Sequence, residues 1–226
     1  IESKEEKLST SGIAVHGNPE DNLVVKAWHL LKHDFDLPPI QFHLHKNIPF
    51  GAGLGGGSSD AAFTLNMLND YFSLHLNTSK LKRYAAQLGA DCSFFIENKP
   101  AFATGTGDKL QTVDLDLSEY KIVILKPSFS VSTPEAYKNI QPQSPDFNLA
   151  DLPRLPVSEW KNRVVNDFEK SIFPKYPEIK NLKEKLYELG AVYASMSGSG
   201  SAVFGIFRHL PTNLDNSIPQ GVLIYR

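Results

Sequence analysis

The stretch IPFGAGLGGGSSDAA, at residues 48–62, constrains the fold and function of this chain more than any other segment. Five glycines lie within the seven residues 51–57. Glycine adopts positive φ angles and lets the backbone approach a ligand closely, at a cost in conformational entropy on folding. So many glycines in one place are typical of a loop that surrounds a bound group. A flexible linker or a simple tight turn is the alternative interpretation.

The segments on either side of this glycine loop favour a binding loop over a linker. Before it, Ile40, Phe42 and Leu44 alternate with polar residues, which predicts a half-buried strand. After it, a helix is predicted from Ser58 onward, with Ser58 or Ser59 as its N-cap. N–H groups at a helix N-terminus and in a glycine loop point into one concavity, where the helix dipole favours negative charge. We therefore expect an anion site at this loop.

Charge and cysteine content argue against several classes of partner. The chain of 226 residues has a formal net charge of -2, which gives no general attraction to nucleic acid or acidic lipid. Its single cysteine, Cys92, cannot form an internal disulfide and indicates a reducing, cytoplasmic location. No apolar run approaches the ~20 residues of a membrane span. The seven histidines lack metal-ligand spacing such as H-E-x-x-H, so we expect no metal ligands among them.

Hydrophobic periodicity predicts an α+β fold, because helices and strands are mixed without strict alternation. Between residues 141 and 156 the chain is rich in proline and lacks periodicity, which predicts a long surface connection. Helices are predicted at residues 20–33, 78–88, 158–172 and 178–189. Strands are predicted in the polar residues 1–15, in 101–110 ahead of a glycine turn, in 121–125, and on both sides of the glycine turn near residue 198.

The glycine spacing brings three known phosphate-binding loops into consideration. Gly51, Gly53 and Gly56 match the G-x-G-x-x-G of dinucleotide-binding folds. That fold needs an acidic residue on a second strand ~20 residues later, where this chain is basic and helical. Gly51 and Gly56 also have P-loop spacing, but Gly57 stands where that motif has lysine. The H-R-D and D-F-G motifs of protein kinases are absent from the sequence.

Residues 49–62 closely resemble the second motif of the GHMP small-molecule kinases, P-x-x-x-G-L-G-S-S-A-A, in an expanded triple-glycine form. Three further stretches are similar to motifs of the same family. They are G-A-D-C-S-F-F at residues 89–95, A-F-A-T-G-T-G-D at 101–108 and M-S-G-S-G from Met196. The resemblance runs from about residue 21 to 207.

Three residues depart from the pattern of the branch that this chain resembles. Cys92 and Ser93 follow the G-A-D sequence where valine and proline are usual, and Asp108 replaces a glutamate in the glycine turn. The family's first motif, P-x-K-I-N-L with its catalytic lysine, and its G-Y-H stretch have no counterpart in the chain. The first residues, IESKEEKLSTSGIAV, are typical of a polar strand entered part-way and lack a starting methionine. We therefore expect further sequence upstream of residue 1.

The resemblance implies the two-domain GHMP kinase fold. Its N-terminal half, like domain 2 of ribosomal protein S5, would bind ATP and cover residues 1–120, and the GHMP C-terminal half would cover 121–226. The loop N–H groups would hold the triphosphate, and Ser58 or Ser59 would add a hydroxyl to a phosphate or to the Mg²⁺ that arrives with ATP. Lys46 and Asn22 would lie towards the nucleoside. The expected ATP-binding residues are Asn22, Lys46, Pro49, Phe50, Gly51, Ala52, Gly53, Leu54, Gly55, Gly56, Gly57, Ser58 and Ser59.

Asp91 is the expected catalytic base. It follows a predicted helix stop and precedes the apolar pair Phe94 and Phe95, so we expect its carboxylate in a partly dry pocket. The pattern alone fits a turn aspartate equally well. Resemblance of G-A-D to the family's catalytic-aspartate motif implies that Asp91 takes the proton from the substrate hydroxyl.

The substrate implied by the resemblance is a small-molecule alcohol. The triple glycine and G-A-D-x-x-F-F resemble the branch that phosphorylates the 2-hydroxyl of 4-diphosphocytidyl-2-C-methyl-D-erythritol in isoprenoid synthesis. Asp91, Gly198, Ser199 and Gly200 are the expected substrate-binding residues, although a plain hairpin turn is the alternative for the last three. A homoserine, mevalonate or sugar kinase and a non-catalytic nucleotide-binding relative are the alternative functions. We expect a monomer or a weak homodimer.

Overall fold

A computed structural model of the chain describes residues 5–15, 17–138, 140 and 147–226. The chain divides into two compact units. The first unit comprises residues 1–49 and 55–112, and the second comprises Phe50–Leu54 and Val113–Arg226. We call Phe50–Leu54 the loop strip, since it is the part of the glycine loop that belongs to the second unit. The domain boundary after residue 120 stays a prediction.

The first unit contains a parallel pair of strands joined by a helix. β1 (Lys7–Gly12) pairs with β2 (Gln41–Lys46), and Lys7 lies opposite Gln41. Because parallel strands run in the same direction, their connection must cross back, and α1 (Leu23–Phe35) makes this crossover. The other elements of this unit are a 3-10 turn (Pro19–Asp21), α2 (Gly56–Tyr71), α3 (Thr78–Leu88), α4 (Cys92–Glu97) and the antiparallel hairpin of β3 (Ala101–Thr104) and β4 (Lys109–Thr112).

The core of the first unit is formed mainly by α1 and α2. Trp28 and Leu31 on α1 and Leu65 and Leu68 on α2 are all buried. These positions recur every three to four residues, so each helix turns one apolar face towards the core. The ring of Trp28 also meets Phe42 of β2 edge-on, with 6.1 Å between the ring centroids. The strand pair and the helices therefore share one core.

Within the described residues, the second unit contains a four-stranded antiparallel sheet with helices around it. Its strands are β5 (Lys121–Lys126), β6 (Tyr193–Met196), β7 (Val203–Phe207) and β8 (Leu223–Tyr225), in the spatial order β6-β7-β5-β8. Its helices are α5 (Thr133–Tyr137), α6 (Trp160–Arg163), α7 (Phe168–Ile172), α8 (Pro177–Glu188) and α9 (Leu214–Ser217), with 3-10 turns at Leu149–Arg154 and Val157–Glu159.

The sheet and α8 form the core of the second unit. Val123 and Leu125 on β5 are fully buried, and they cluster with Ile179 and Leu186 on α8. Three residues or four separate the buried positions of α8, which is the spacing of one helix face. Along the described residues, no helix is both long and apolar enough to cross a bilayer.

The α+β class is confirmed, and so are the predicted helices at residues 78–88 and 178–189. The single helix predicted at 158–172 is wrong. The chain leaves the helical conformation at Val164, and the side chain of Asn166 accepts a hydrogen bond from Phe168 N at 3.0 Å, which begins a new helix. In the predicted surface connection, residues 141–146 lie outside the described residues, and part of the remainder forms a 3-10 helix.

Replacing Leu65 with alanine tests the buried face of α2. Leu65→Ala is expected to lower the free energy of unfolding by about 2–5 kcal/mol, because it removes buried methyl groups and leaves a cavity. Phe63, on the same helix, is 51% exposed, so Phe63→Ala is a matched control that should change stability by roughly 0.5 kcal/mol or less. Urea denaturation measures both values. Similar losses in the two variants would contradict the assigned helix face.

Candidate active site

The glycine loop leads into a helix that begins without a side-chain cap. The N-cap of α2 is Gly55, at φ +66°, and it has no side chain to accept a hydrogen bond from the first turn. The cap predicted at Ser58 or Ser59 is therefore wrong, because the helix already begins at Gly56. The first N–H groups of a helix have no intrahelical acceptor. This end of a 16-residue helix thus offers backbone donors and the positive end of the dipole to an anion.

Gly53 lies where only glycine fits. Its φ is +72°, and a Cβ placed on it would overlap the carbonyl oxygen of Ser197. Ser197 Oγ donates a hydrogen bond to Gly53 O at 2.8 Å, and Ala202 N donates to Ala52 O at 3.0 Å. Inside the second unit, the loop strip is therefore held by direct contact with the residues that join β6 to β7.

Ser130 holds the other end of the loop strip. Its Oγ donates to Phe50 O at 3.1 Å, and a Cβ on Gly51 would lie only 2.8 Å from Ser130 Cβ. Ser201 Oγ donates to Phe129 O at 2.7 Å, which connects the residue before Ser130 to the same β6–β7 turn. The contacts of Ser130 and Ser197 with the strip span 80 and 144 sequence positions. No local sequence signal identifies such partners.

Lys46 and Asn22, expected near the nucleoside, both have structural partners. The Lys46 side chain is 2% exposed and forms an ion pair with Asp60 of α2. A Cβ on Gly56 would lie 3.3 Å from Lys46 Nζ, so the ammonium group lies against the first turn of α2. Asn22 is the N-cap of α1, and its side chain accepts a hydrogen bond from Val24 N at 3.0 Å. A contact of either residue with the nucleoside stays a prediction.

Asp91 is exposed at the N-cap position of α4, and its carboxylate makes no capping hydrogen bond. The partly dry pocket expected around it is therefore wrong. Phe94 and Phe95 pack edge to face on each other, with 5.0 Å between centroids, and leave Asp91 accessible. A carboxylate that does not cap its own helix is available to accept a proton from a bound group.

Helix α4, which follows Asp91, packs against the start of α2 within the first unit. A Cβ on Gly55 would lie 2.7 Å from the ring of Phe95, and the Cys92 thiol at the start of α4 is fully buried. Burial raises the pKa of the Cys92 thiol, and the charge of Asp91 adds to this effect. A Cβ on Gly107, in the β3–β4 turn, would lie 4.0 Å from Asp91 Oδ1. The structure thus brings Asp91, the start of α2 and this hairpin turn into one neighbourhood.

Gly198, Ser199 and Gly200 lie in the turn of the β6–β7 hairpin. Gly198 and Gly200 have φ angles of +51° and +87°, and a Cβ on Gly198 would lie 3.1 Å from Gly53 O. The turn therefore lies against the loop strip of its own unit. Contact of these three residues with a substrate stays a prediction.

The donors at the start of α2 fit a nucleotide phosphate with its counter-ion. They comprise backbone N–H groups and the hydroxyls of Ser58 and Ser59, and a serine hydroxyl can contact either a phosphate oxygen or a Mg²⁺ ion. Mg²⁺ in kinases is commonly held by substrate phosphates, waters and one or two protein ligands. Among the described residues, no group of three or more His, Cys, Asp or Glu side chains is placed to hold a metal ion.

Two family models match the sequence. The GHMP kinases N terminal domain matches residues 22–99, and the GHMP kinases C terminal model matches residues 152–214. A 4-diphosphocytidyl-2-C-methyl-D-erythritol kinase of Bacteroides fragilis is 58% identical over 200 residues, which cover 88% of this chain and 73% of the relative. The kinase of the same name from Parabacteroides distasonis is 53% identical, with 88% and 74% covered.

Solved kinase structures also match the fold of this chain. A crystal structure of 4-(cytidine 5'-diphospho)-2C-methyl-D-erythritol kinase is 31% identical and has a TM-score of 0.74, covering 89% of this chain and 73% of that chain. Homoserine kinase from Cytophaga hutchinsonii has a TM-score of 0.69 and covers 99% of this chain and 82% of that one, at 18% identity. At that identity the second match concerns the fold alone.

Replacing Gly53 with alanine tests the close approach of the loop strip to Ser197. Both Gly53 and the control position Gly221 have positive φ angles, +72° and +84°, so alanine is strained at each by about 1–2 kcal/mol. No atom lies within 4 Å of a Cβ on Gly221, whereas a Cβ on Gly53 overlaps Ser197 O. We expect Gly53→Ala to cost about 1–3 kcal/mol more than Gly221→Ala in chemical denaturation. Equal costs would argue against the backbone contact.

Proposed function

The chain belongs to the GHMP kinases, and from this premise we propose that it transfers the γ-phosphoryl group of ATP to the 2-hydroxyl of 4-diphosphocytidyl-2-C-methyl-D-erythritol. The two-domain α+β fold of the family is confirmed, and the activity class is that of an ATP-dependent small-molecule kinase. The choice of alcohol is supported by relatives 53% and 58% identical that carry the name of this kinase.

One structural observation carries the proposed chemistry. The uncapped start of α2 packs against α4, which begins directly after a carboxylate that does not cap it, since a Cβ on Gly55 would lie 2.7 Å from the ring of Phe95. A phosphate group needs the first of these features, and an attacking hydroxyl needs the second. Both belong to the first unit, so their proximity is a property of one folded body.

In phosphoryl transfer the protein mainly positions the reacting groups and offsets their charge. The N–H groups at the start of α2 donate to phosphate oxygens, and the Ser58 and Ser59 hydroxyls add to this set. Asp91 accepts the proton of the substrate hydroxyl as that oxygen attacks the γ-phosphorus. Ser130 and Ser197 fix the loop strip, so the part of the loop that they hold needs little rearrangement when the nucleotide binds.

Mg²⁺ bound with ATP would offset phosphate charge, and the hydroxyls of Ser58 and Ser59 are the candidate protein groups for it. The single cysteine favours the cytoplasm, and the protein acts on a free small molecule as a monomer or a weak homodimer.

A substrate panel tests the reaction directly. ADP release by the full-length protein with MgATP should depend on 4-diphosphocytidyl-2-C-methyl-D-erythritol, and mass spectrometry should find one added phosphoryl group on the 2-hydroxyl. Homoserine, mevalonate and galactose serve as competing acceptors. A higher kcat/KM with any of these would replace the proposed substrate. Binding of ATP without turnover on any acceptor would instead identify a nucleotide-binding protein that lacks kinase activity.

Replacing Asp91 with asparagine tests the proposed base. Asp91→Asn should lower kcat by a factor of about 10² to 10⁴, because the amide cannot accept the hydroxyl proton. Affinity for a non-hydrolysable ATP analogue, measured by calorimetry, should stay near that of the wild type. Asp116→Asn is the matched control, since Asp116 is an exposed aspartate whose Oδ1 accepts a hydrogen bond from Ser118 N at 2.8 Å, and asparagine keeps that acceptor. Near-normal turnover of Asp91→Asn would sink the assignment.

A further inference from the structure

Asn166 uses both ends of its amide group to connect α7 with the β6–β7 turn. Its Nδ2 donates to Met196 O and to Gly198 O, each at 2.8 Å, and its Oδ1 accepts a hydrogen bond from Phe168 N at 3.0 Å. A side-chain amide has two N–H donors and one carbonyl oxygen, so each part of the group is engaged. The two carbonyls that it binds belong to the residues on either side of Ser197.

Glu169 lies on α7, three residues after Asn166 in the sequence, and it binds a backbone N–H group of the same segment. Its Oε1 accepts hydrogen bonds from Met196 N at 2.8 Å and from Ser195 Oγ at 3.2 Å. Its Oε2 pairs with Lys183 Nζ at 2.5 Å, which fixes the carboxylate. Both backbone polar groups of Met196 are thus bound by side chains from one short segment.

The held segment is the one that contacts the loop strip. Ser197 Oγ donates to Gly53 O at 2.8 Å, and Ser197 O occupies the space that a Cβ on Gly53 would need. Because Asn166 fixes the carbonyls before and after Ser197, it also fixes the direction in which Ser197 meets Gly53. All of these residues belong to the second unit.

We propose that Asn166, supported by Glu169, is a positioning residue for the glycine loop. It sets the place of Ser197, and through Ser197 the conformation of the loop strip, so that the loop meets the ATP phosphates in its binding geometry. The part of this inference that concerns ATP rests on the proposed kinase function. The part that concerns the loop strip does not.

The alternative role for Asn166 is to hold the start of α7 by accepting the hydrogen bond from Phe168 N, and nothing more. Aspartate separates the two roles, because it keeps an oxygen that can accept the hydrogen bond from Phe168 N but cannot donate to Met196 O or Gly198 O. Asn148→Asp is the matched control. Asn148 caps the 3-10 turn Leu149–Arg154 by accepting a hydrogen bond from Ala150 N at 3.1 Å.

Two measurements on the full-length protein test the proposal. Asn166→Asp should weaken binding of the Mg²⁺ complex of a non-hydrolysable ATP analogue about tenfold, in line with the loss of two hydrogen bonds. It should also speed hydrogen exchange in peptides that contain residues 50–54 and 197–200, while α8 keeps its protection. Asn148→Asp should change neither value. Ser197→Ala removes only the hydrogen bond to Gly53 O. It should also weaken nucleotide binding and speed hydrogen exchange in residues 50–54.

Each result decides between the roles. Unchanged affinity for the ATP analogue or unchanged hydrogen exchange in Asn166→Asp would overturn the positioning role. A lower melting temperature with no other change would indicate only a local role at the start of α7. If Asn166→Asp fails to fold, Ser197→Ala decides in its place, and a neutral Ser197→Ala overturns the proposal. If the wild-type protein does not bind the nucleotide, the kinase function fails, and the exchange measurement still decides whether Asn166 holds the loop strip.

Discussion

The backbone contact between Gly53 and Ser197 is the constraint on which the conformation of the loop strip depends. A side chain at Gly53 would occupy the position of the Ser197 carbonyl oxygen, and the Ser197 hydroxyl bonds Gly53 O at 2.8 Å. The glycine at this position therefore serves close packing, not mobility. Asn166, Ser130 and the β6–β7 turn are arranged around this one contact, so several hydrogen bonds within the second unit hold the loop strip in one conformation.

Features that depend on local sequence were predictable. The helix at residues 78–88 begins after Asn77, whose side chain accepts a hydrogen bond from Lys80 N, and it ends before Gly89. Anion binding by the glycine loop stays a prediction, based on the N–H groups that a helix start after a glycine-rich segment leaves free for a ligand.

Three features were predicted wrongly from the sequence: the cap of α2, the helix at residues 158–172 and the surroundings of Asp91. The cap was misplaced because Gly55, in the left-handed conformation, lets the helix begin earlier than a serine cap would. The helix predicted at 158–172 breaks because the Asn166 amide binds carbonyls 30 and 32 positions away. Asp91 is exposed although Phe94 and Phe95 follow it in the sequence, so apolar neighbours along the chain do not by themselves predict a dry pocket. At the helix break a tertiary contact overrides the local preference, whereas the early start of α2 follows from the backbone conformation of Gly55 itself.

The burial of Cys92 has a consequence for the chemical durability of the site. Thiolates, not thiols, react with peroxides and alkylating agents. Burial keeps this sulfur in its protonated form and out of reach of solvent, although it directly follows Asp91 in the chain. Oxidative stress and electrophilic inhibitors aimed at cysteine would therefore find no target beside the carboxylate. The single cysteine of the chain thus acts as a small packing group and not as a reactive thiol.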